Sequence, residues 1–161
     1  MKKFFGICAV AALTLFVQAA PASAQEVMMA MLTGGEETPQ PGILTGATGQ
    51  ATVTVDAANR QVIVELQIQN LGNASTAGHI HIGPRGVAGP VVLDFTFPSG
   101  RTGDFGLLFR LGQSAFRARP EIGIATIDDA IQAILNGNAY VNVHSSAFPG
   151  GEVRGQIVRT Q

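Results

Sequence analysis

The sequence predicts an all-β sandwich or open barrel, made of about seven or eight short antiparallel strands with one crossover helix. Gly and Pro occur throughout the chain, as they do in domains of short strands and turns. Several apolar stretches alternate with a period of two, the pattern of a half-buried strand, and one stretch repeats at helical spacing. No long linker and no clear internal repeat divides the chain.

The first half of the chain predicts three strands. Residues 26–32 form the first, and an irregular turn over 33–42 follows it. Residues 49–56 and 61–71 both alternate with a period of two, and the short connection AANR joins them. These two strands therefore form an antiparallel hairpin.

The middle of the chain is less regular. Strands are predicted over 77–83 and 90–97, on either side of the turn PRGVAG. Residues 98–123 contain apolar side chains, but Gly, Arg and Pro interrupt them. We expect a loop there, with one or two short strands.

One helix is well signalled near the C-terminal end. Thr126 and Asp129 resemble a capping box, with Asp in place of the usual Glu or Gln. Gly137 can end the helix in a left-handed conformation. The apolar residues between them repeat at helical spacing: Ile127, Ala130, Ile131, Ile134 and Leu135.

A closing hairpin follows the helix. Residues 139–144 and 152–158 alternate on either side of a turn that contains Pro149, Gly150 and Gly151. We expect these two segments to be paired strands.

The start of the chain resembles a secretory signal peptide over residues 1–24. Two lysines precede an apolar run from Phe4 to about Val17, and Ala22-Ser23-Ala24 is a small-x-small cleavage site. The run is too short to span a bilayer, so we expect no membrane span after cleavage. Residues 25–161 then form one β domain, exported to the periplasm, the cell surface or the medium.

Charge and cysteine content exclude several functions. The only cysteine, Cys8, lies in the predicted signal peptide, so the exported domain has neither a disulfide nor a thiolate nucleophile. Without the two lysines, eight arginines face eleven acidic residues, a formal net charge of −3. This balance argues against nucleic acid as a partner, because phosphates require a basic surface. Glu36 and Glu37 lie in a proline-bounded turn and are expected to be solvated.

All three histidines lie in two short segments. His79 and His81 are two residues apart on one predicted strand, so they share a face. The closing hairpin carries His144. If these strands are neighbours, the three imidazoles converge, and neutral imidazole suits zinc and copper.

A structural role is the alternative, and spacing alone favours it. Glu152, Arg154 and Gln156 share one strand face, which could pair across the hairpin with Asn142 and His144. Such a buried polar network specifies strand register without binding a ligand. Catalysis has less support, because no Gly-x-Ser-x-Gly elbow accompanies the serines that follow His144. We therefore expect no enzyme.

Three stretches together resemble the CHRD domain, which occurs in chordin and in secreted bacterial proteins. They are LTGGEETPQP, GHIHIGPRGVAGPVV and AYVNVHSSAFPGGEVRGQI, and their order fits over roughly 27–158. Residues 98–123 depart from the pattern, being longer and richer in Arg and Phe. The resemblance implies an immunoglobulin-like β-barrel, comparable with the fold of copper/zinc superoxide dismutase, and no established enzymatic reaction.

The sequence as a whole predicts a secreted, non-enzymatic β-domain that acts as a binding or structural module. Its partner would be an unidentified protein or cell-surface ligand. The alternative is a copper- or zinc-binding protein that uses His79, His81 and His144. A third and weaker interpretation is a dismutase-like copper enzyme, which would need further metal ligands beyond these three.

Overall fold

The computed structural model describes residues 25–160, so the predicted signal peptide lies outside the described residues. Nine strands form a single antiparallel sheet. The strands are β1 (Glu26–Thr33), β2 (Thr48–Asp56), β3 (Gln61–Leu71), β4 (Ser75–Ile82), β5 (Val91–Asp94), β6 (Gly103–Leu111), β7 (Ala139–Ser145), β8 (Val153–Gln156) and β9 (Val158–Arg159). Helix α1 (Ile127–Leu135) and the 3-10 turns Gly34–Glu36 and Pro120–Ile122 complete the fold.

The sheet curls into a nearly closed barrel. Its strand order is β5-β4-β7-β8-β1-β2-β3-β6, and β9 also pairs with β1. Phe95, which follows β5, stacks on Phe109 of β6 with ring centroids 4.6 Å apart, so aromatic rings fill the space where the two ends of the sheet meet. The all-β antiparallel prediction is confirmed, and the strands belong to one hydrogen-bonded sheet. The immunoglobulin-like arrangement stays a prediction.

The core lies inside the barrel, because alternate residues of each strand point inward. The predicted hairpin of β2 and β3 is confirmed over its full length, from Thr48 opposite Gln69 to Asp56 opposite Gln61. Fully burying a Val, Leu, Ile or Met side chain contributes about 1.5–3 kcal/mol to stability. Such side chains on the central strands include Met28, Leu32, Val53, Val62, Val64, Leu66, Ile80, Val141, Val143 and Val153.

Residues 98–123 were expected to be a loop with one or two short strands, and they contain the longer, nine-residue strand β6. This strand pairs with β3 from Val62 opposite Leu111 to Leu71 opposite Gly103. Its inward side chains include Phe109 and Leu111, which are buried, whereas Leu108 is exposed on the outer face. An apolar residue on the outer face hides the alternation, and for that reason the sequence pattern did not reveal the full length of the strand.

The predicted helix and closing hairpin are both confirmed. The Thr126 side chain accepts a hydrogen bond from the backbone of Asp129, whose carboxylate accepts one in return from the backbone of Thr126. Gly137 follows the helix with a φ of 73°. Strands β7 and β8 are antiparallel, with Asn142 opposite Arg154. No helix within residues 25–160 is long and apolar enough to cross a membrane.

Candidate metal centre

The three histidines lie on two neighbouring strands, β4 and β7. Ile80 and Ile82 of β4 are buried in the barrel core, which turns His79 and His81 to the outer face of the sheet. His144 lies on the same outer face, because Val141 and Val143 of β7 occupy the core. The register places Ala77 opposite His144, so the rings of His79 and His144 are diagonal neighbours.

The three rings converge as the strand pattern predicts. One ring nitrogen from each of His79, His81 and His144 lies within 4.8 Å of the other two. An ion bound at about 2.0–2.1 Å in tetrahedral geometry would hold such nitrogens about 3.4 Å apart. The closest pair, His79 Nδ1 and His144 Nε2, is already 3.0 Å apart. The widest pair would have to close by at most about 1.4 Å, a movement within reach of side-chain rotation.

Backbone carbonyls fix two of the rings from behind. His81 Nδ1 donates to the carbonyl oxygen of Gly89 at 2.9 Å, and His144 Nδ1 donates to that of Pro149 at 2.9 Å. A carbonyl oxygen only accepts, so Nδ1 carries the hydrogen in both rings and Nε2 of the neutral ring keeps its lone pair. His81 Nε2 is buried and has no hydrogen-bond partner among the described residues.

The third ring is held by side chains instead. His79 Nδ1 faces the lone pair of His144 Nε2 and therefore donates to it. Its other nitrogen, Nε2, lies 3.5 Å from Oδ1 of Asp94, and Oδ2 of the same carboxylate lies 2.6 Å from Nη2 of Arg117. Neither Asp94 nor Arg117 was among the residues predicted for this site.

Burial keeps the histidines neutral. It lowers the pKa of His81 from its ordinary value of 6.5 to about 4, and the carbonyl of Gly89 opposes this only in part. Burial also lowers the pKa of His144. For His79, burial lowers the pKa first and the proximity of His144 second, against the opposing charge of Asp94. Neutral rings at pH 7 are the form that binds a metal ion.

The comparisons with known proteins give one match. Residues 28–157 match the family model described as the CHRD domain. The chain belongs to the CHRD domain family. Comparison with curated proteins and with solved structures gave no significant match.

In this CHRD domain, an aromatic and a guanidinium group support the His81 ring. Tyr140 stacks on His81 with ring centroids 4.9 Å apart and planes at 11°. Arg154 covers Tyr140, with its Cζ 3.5 Å from the ring centroid. The Tyr140 hydroxyl accepts from the backbone nitrogen of Gly89 at 3.0 Å, so the same residue holds the loop that supplies the carbonyl for His81.

The four predicted network residues of the CHRD domain attach loops to the outer face of the sheet. Arg154 donates to the carbonyl oxygens of Pro84 and Val87 and to the hydroxyl of Thr38. Gln156 donates to the carbonyl oxygens of Gly83 and Gly137.

The other two network residues bind the loop between β1 and β2. Glu152 accepts from the hydroxyl of Thr45 at 2.7 Å, and Asn142 donates to Glu37 at 3.3 Å. The acceptors behind the histidine rings are Gly89, Pro149 and Asp94, while Asn142 and Glu152 turn toward this loop.

Glu37 of the CHRD domain is buried, and the expectation that it is solvated was wrong. Its exposed fraction is 3%. Burial raises the pKa of Glu37 to about 7, while the hydrogen bond from Asn142 and the charge of Arg154 oppose the rise. The loop between β1 and β2 folds over the sheet and carries the carboxyl group inward. A polar turn in the sequence contains no signal of such a fold.

Proposed function

We propose that this CHRD domain is a non-enzymatic binding module whose ligand is a copper or zinc ion held by His79, His81 and His144. One observation carries the proposal. A nitrogen of each ring faces a common space, while the opposite nitrogens of His81 and His144 are fixed by carbonyl oxygens and that of His79 lies near a carboxylate. Metal-binding histidines have this arrangement, since an acceptor behind each ring sets its tautomer and its direction.

The donor set fits the ion. Three neutral imidazoles and one open position are a common environment for zinc, and imidazole also suits copper. The lone pair of His81 Nε2 adds support, because a buried acceptor without a partner costs about 1–3 kcal/mol. An ion would satisfy this nitrogen and replace the hydrogen bond between His79 and His144.

The proposal includes export of the chain from the cytoplasm. We infer that residues 1–24 direct the chain out of the cytoplasm, because a basic start, a short apolar run and a small-x-small site are the pattern of a cleaved signal peptide.

A purely structural module is the second candidate. The observation that favours it is the extent of the polar contacts on the outer face, where Arg154 and Gln156 tie down loops independently of any ion. In that case the hydrogen bond between His79 and His144 would be one more contact of the same kind. The two candidates differ in whether the histidines bind metal in solution.

Calorimetric titration with zinc(II) and copper(II) at pH 7.5 separates the candidates. The protein must be purified without a polyhistidine tag, because the imidazoles of a tag would add to the three histidines of the chain. We expect one ion per chain, bound more tightly than about 10 μM, and weaker binding as the pH falls toward 4, where protons compete for the His81 ring. Weaker binding at pH 7.5, or binding that survives replacement of all three histidines by alanine, would end the metal proposal.

A further inference from the structure

Asp94 and His79 face each other across neighbouring strands. They are directly opposite in the pairing of β4 with β5, so their side chains share a face of the sheet. Asp94 uses its two oxygens differently. Oδ1 lies 3.5 Å from His79 Nε2, and Oδ2 lies 2.6 Å from Arg117 Nη2. The carboxylate therefore bridges the candidate metal centre and the segment that departs from the CHRD pattern.

Backbone hydrogen bonds hold this bridge in place. The backbone nitrogen of Asp94 donates to the carbonyl oxygen of Ala115 at 3.0 Å, and that of Arg117 donates to the carbonyl oxygen of Val92 at 2.9 Å. Leu93 and Phe116 form an antiparallel bridge between these two bonds. Arg117 thus reaches Asp94 from a segment paired with β5.

The hydrogen on His79 must change its position when an ion binds. With His144 Nε2 as acceptor, the neutral ring of His79 carries its hydrogen on Nδ1. Nδ1 is also the nitrogen that faces His144, whereas Nε2 faces Asp94, so Nδ1 is the one available to an ion. Once Nδ1 binds the ion, the hydrogen of the neutral ring lies on Nε2, where Asp94 is the nearest acceptor.

We propose that Asp94 is a positioning residue of this centre, that it accepts a hydrogen bond from Nε2 of His79 in the ion-bound state, and that Arg117 holds Asp94 for this role. The inference rests on the proposed metal-binding function. It makes His79 the adjustable ligand, because His81 and His144 are fixed by backbone carbonyls whereas His79 depends on a side chain. The segment over 98–123 thereby acquires a role in how tightly the ion is held.

Zinc(II) calorimetry at pH 7.5 on untagged protein tests the inference with three variants and a control. We expect Asp94→Ala to weaken zinc binding by about 10–100-fold. Asp94→Asn keeps an uncharged acceptor and should lie between Asp94→Ala and wild type. Arg117→Ala should weaken binding by less than Asp94→Ala. Asp128→Ala is the matched control, since it breaks the exposed ion pair with Arg60 and should leave zinc affinity unchanged.

Nitrogen-15 NMR of the zinc-loaded histidines gives a readout that a merely structural role would not move. We expect the hydrogen of His79 on Nε2 in the wild-type protein and faster exchange of that hydrogen in Asp94→Asn. Wild-type zinc affinity in a folded Asp94→Ala, or a hydrogen retained on Nδ1 of His79, would overturn the inference while the metal proposal stands. A wild-type protein that binds no zinc or copper would overturn both.

Discussion

Asn142 donates its side-chain amide to the carboxyl group of Glu37 across 3.3 Å, in a place that solvent hardly reaches. Glu37 Oε1 and Asn142 Oδ1 have no partner among the described residues. Both border Gly151, where an added Cβ would lie 2.5 Å from Asn142 Oδ1 and 2.8 Å from Glu37 Oε1. Burial disfavours the charged carboxylate, and a hydrogen on Glu37 removes that charge. The neutral acid is therefore the form that this position favours.

Glu37 should make the folded domain less stable as the pH rises. Its pKa is about 7 in the folded protein and 4.5 ordinarily, so the folded state holds the proton more tightly between those values. The free energy of unfolding should fall from pH 4.5 to pH 7, by at most about 3 kcal/mol. Glu37→Gln keeps the shape without the titration, so it should gain stability relative to wild type as the pH rises. Urea unfolding of the metal-free proteins at pH 5 and pH 7.5 measures this. A difference between the two proteins that is the same at both pH values would contradict it.

The histidines should make the free energy of unfolding rise with pH, opposite to the effect of Glu37. The pKa of His81 is about 4 in the folded state and 6.5 ordinarily, so the unfolded state binds the proton more tightly. Its contribution is complete above pH 6.5 and is lost as the pH falls toward 4. In wild type the opposite effect of Glu37 partly cancels this rise. The free energy of unfolding should therefore rise more steeply with pH in Glu37→Gln. Adding His81→Ala to that variant should flatten the curve between pH 4 and pH 6.5, again in metal-free protein. If the free energy of unfolding depends on pH equally with and without His81, the lowered pKa of His81 is refuted.

Arg154 should be among the most costly residues to remove. It is 1% exposed and donates to Thr38, Pro84 and Val87. Arg154→Ala removes these charged donors, and each hydrogen bond from a charged group contributes about 1.5–3 kcal/mol. We expect the melting temperature to fall by roughly 10 °C.

Two further substitutions serve as comparisons for the melting temperature of Arg154→Ala. Arg154→Lys keeps the charge but loses the planar fork of donors, so its melting temperature should lie between that of wild type and that of Arg154→Ala. Arg110→Ala, on the exposed outer face of β6, should change stability by no more than about 0.5 kcal/mol. If Arg154→Ala lowers the melting temperature no more than Arg110→Ala does, other contacts hold the loops.

The sequence predicted those parts of the centre that depend on strand alternation. A period of two places His79 beside His81, and the apolar partners Val141 and Val143 turn His144 to the same face. Pairing of β4 with β7 was a condition of the prediction, and the register satisfies it. Local pattern thus determines which face each ring occupies.

The residues behind the rings could not be predicted in this way. Asp94 reaches His79 through the pairing of β5 with β4, and Glu37 reaches Asn142 through a loop folded over the sheet. Each contact depends on how separate segments pair or fold over one another, and no periodicity in the sequence indicates either contact. The carbonyl oxygens of Gly89 and Pro149 belong to the backbone, so no side-chain type marks them.

Gly89 offers a test of whether the carbonyl behind His81 matters to the ion. A Cβ at this position would overlap the carbonyl oxygen of Ile82, so Gly89→Ala must displace the loop. The displacement removes the acceptor of His81 Nδ1 and the donor to the Tyr140 hydroxyl. Since the ring then loses its fixed tautomer and direction, zinc affinity should fall by about 10–100-fold in calorimetry at pH 7.5. Gly72→Ala is the matched control, because a Cβ there meets no atom within 4 Å. If Gly89→Ala lowers the melting temperature but binds zinc as tightly as Gly72→Ala, the carbonyl supports the fold and not the ion.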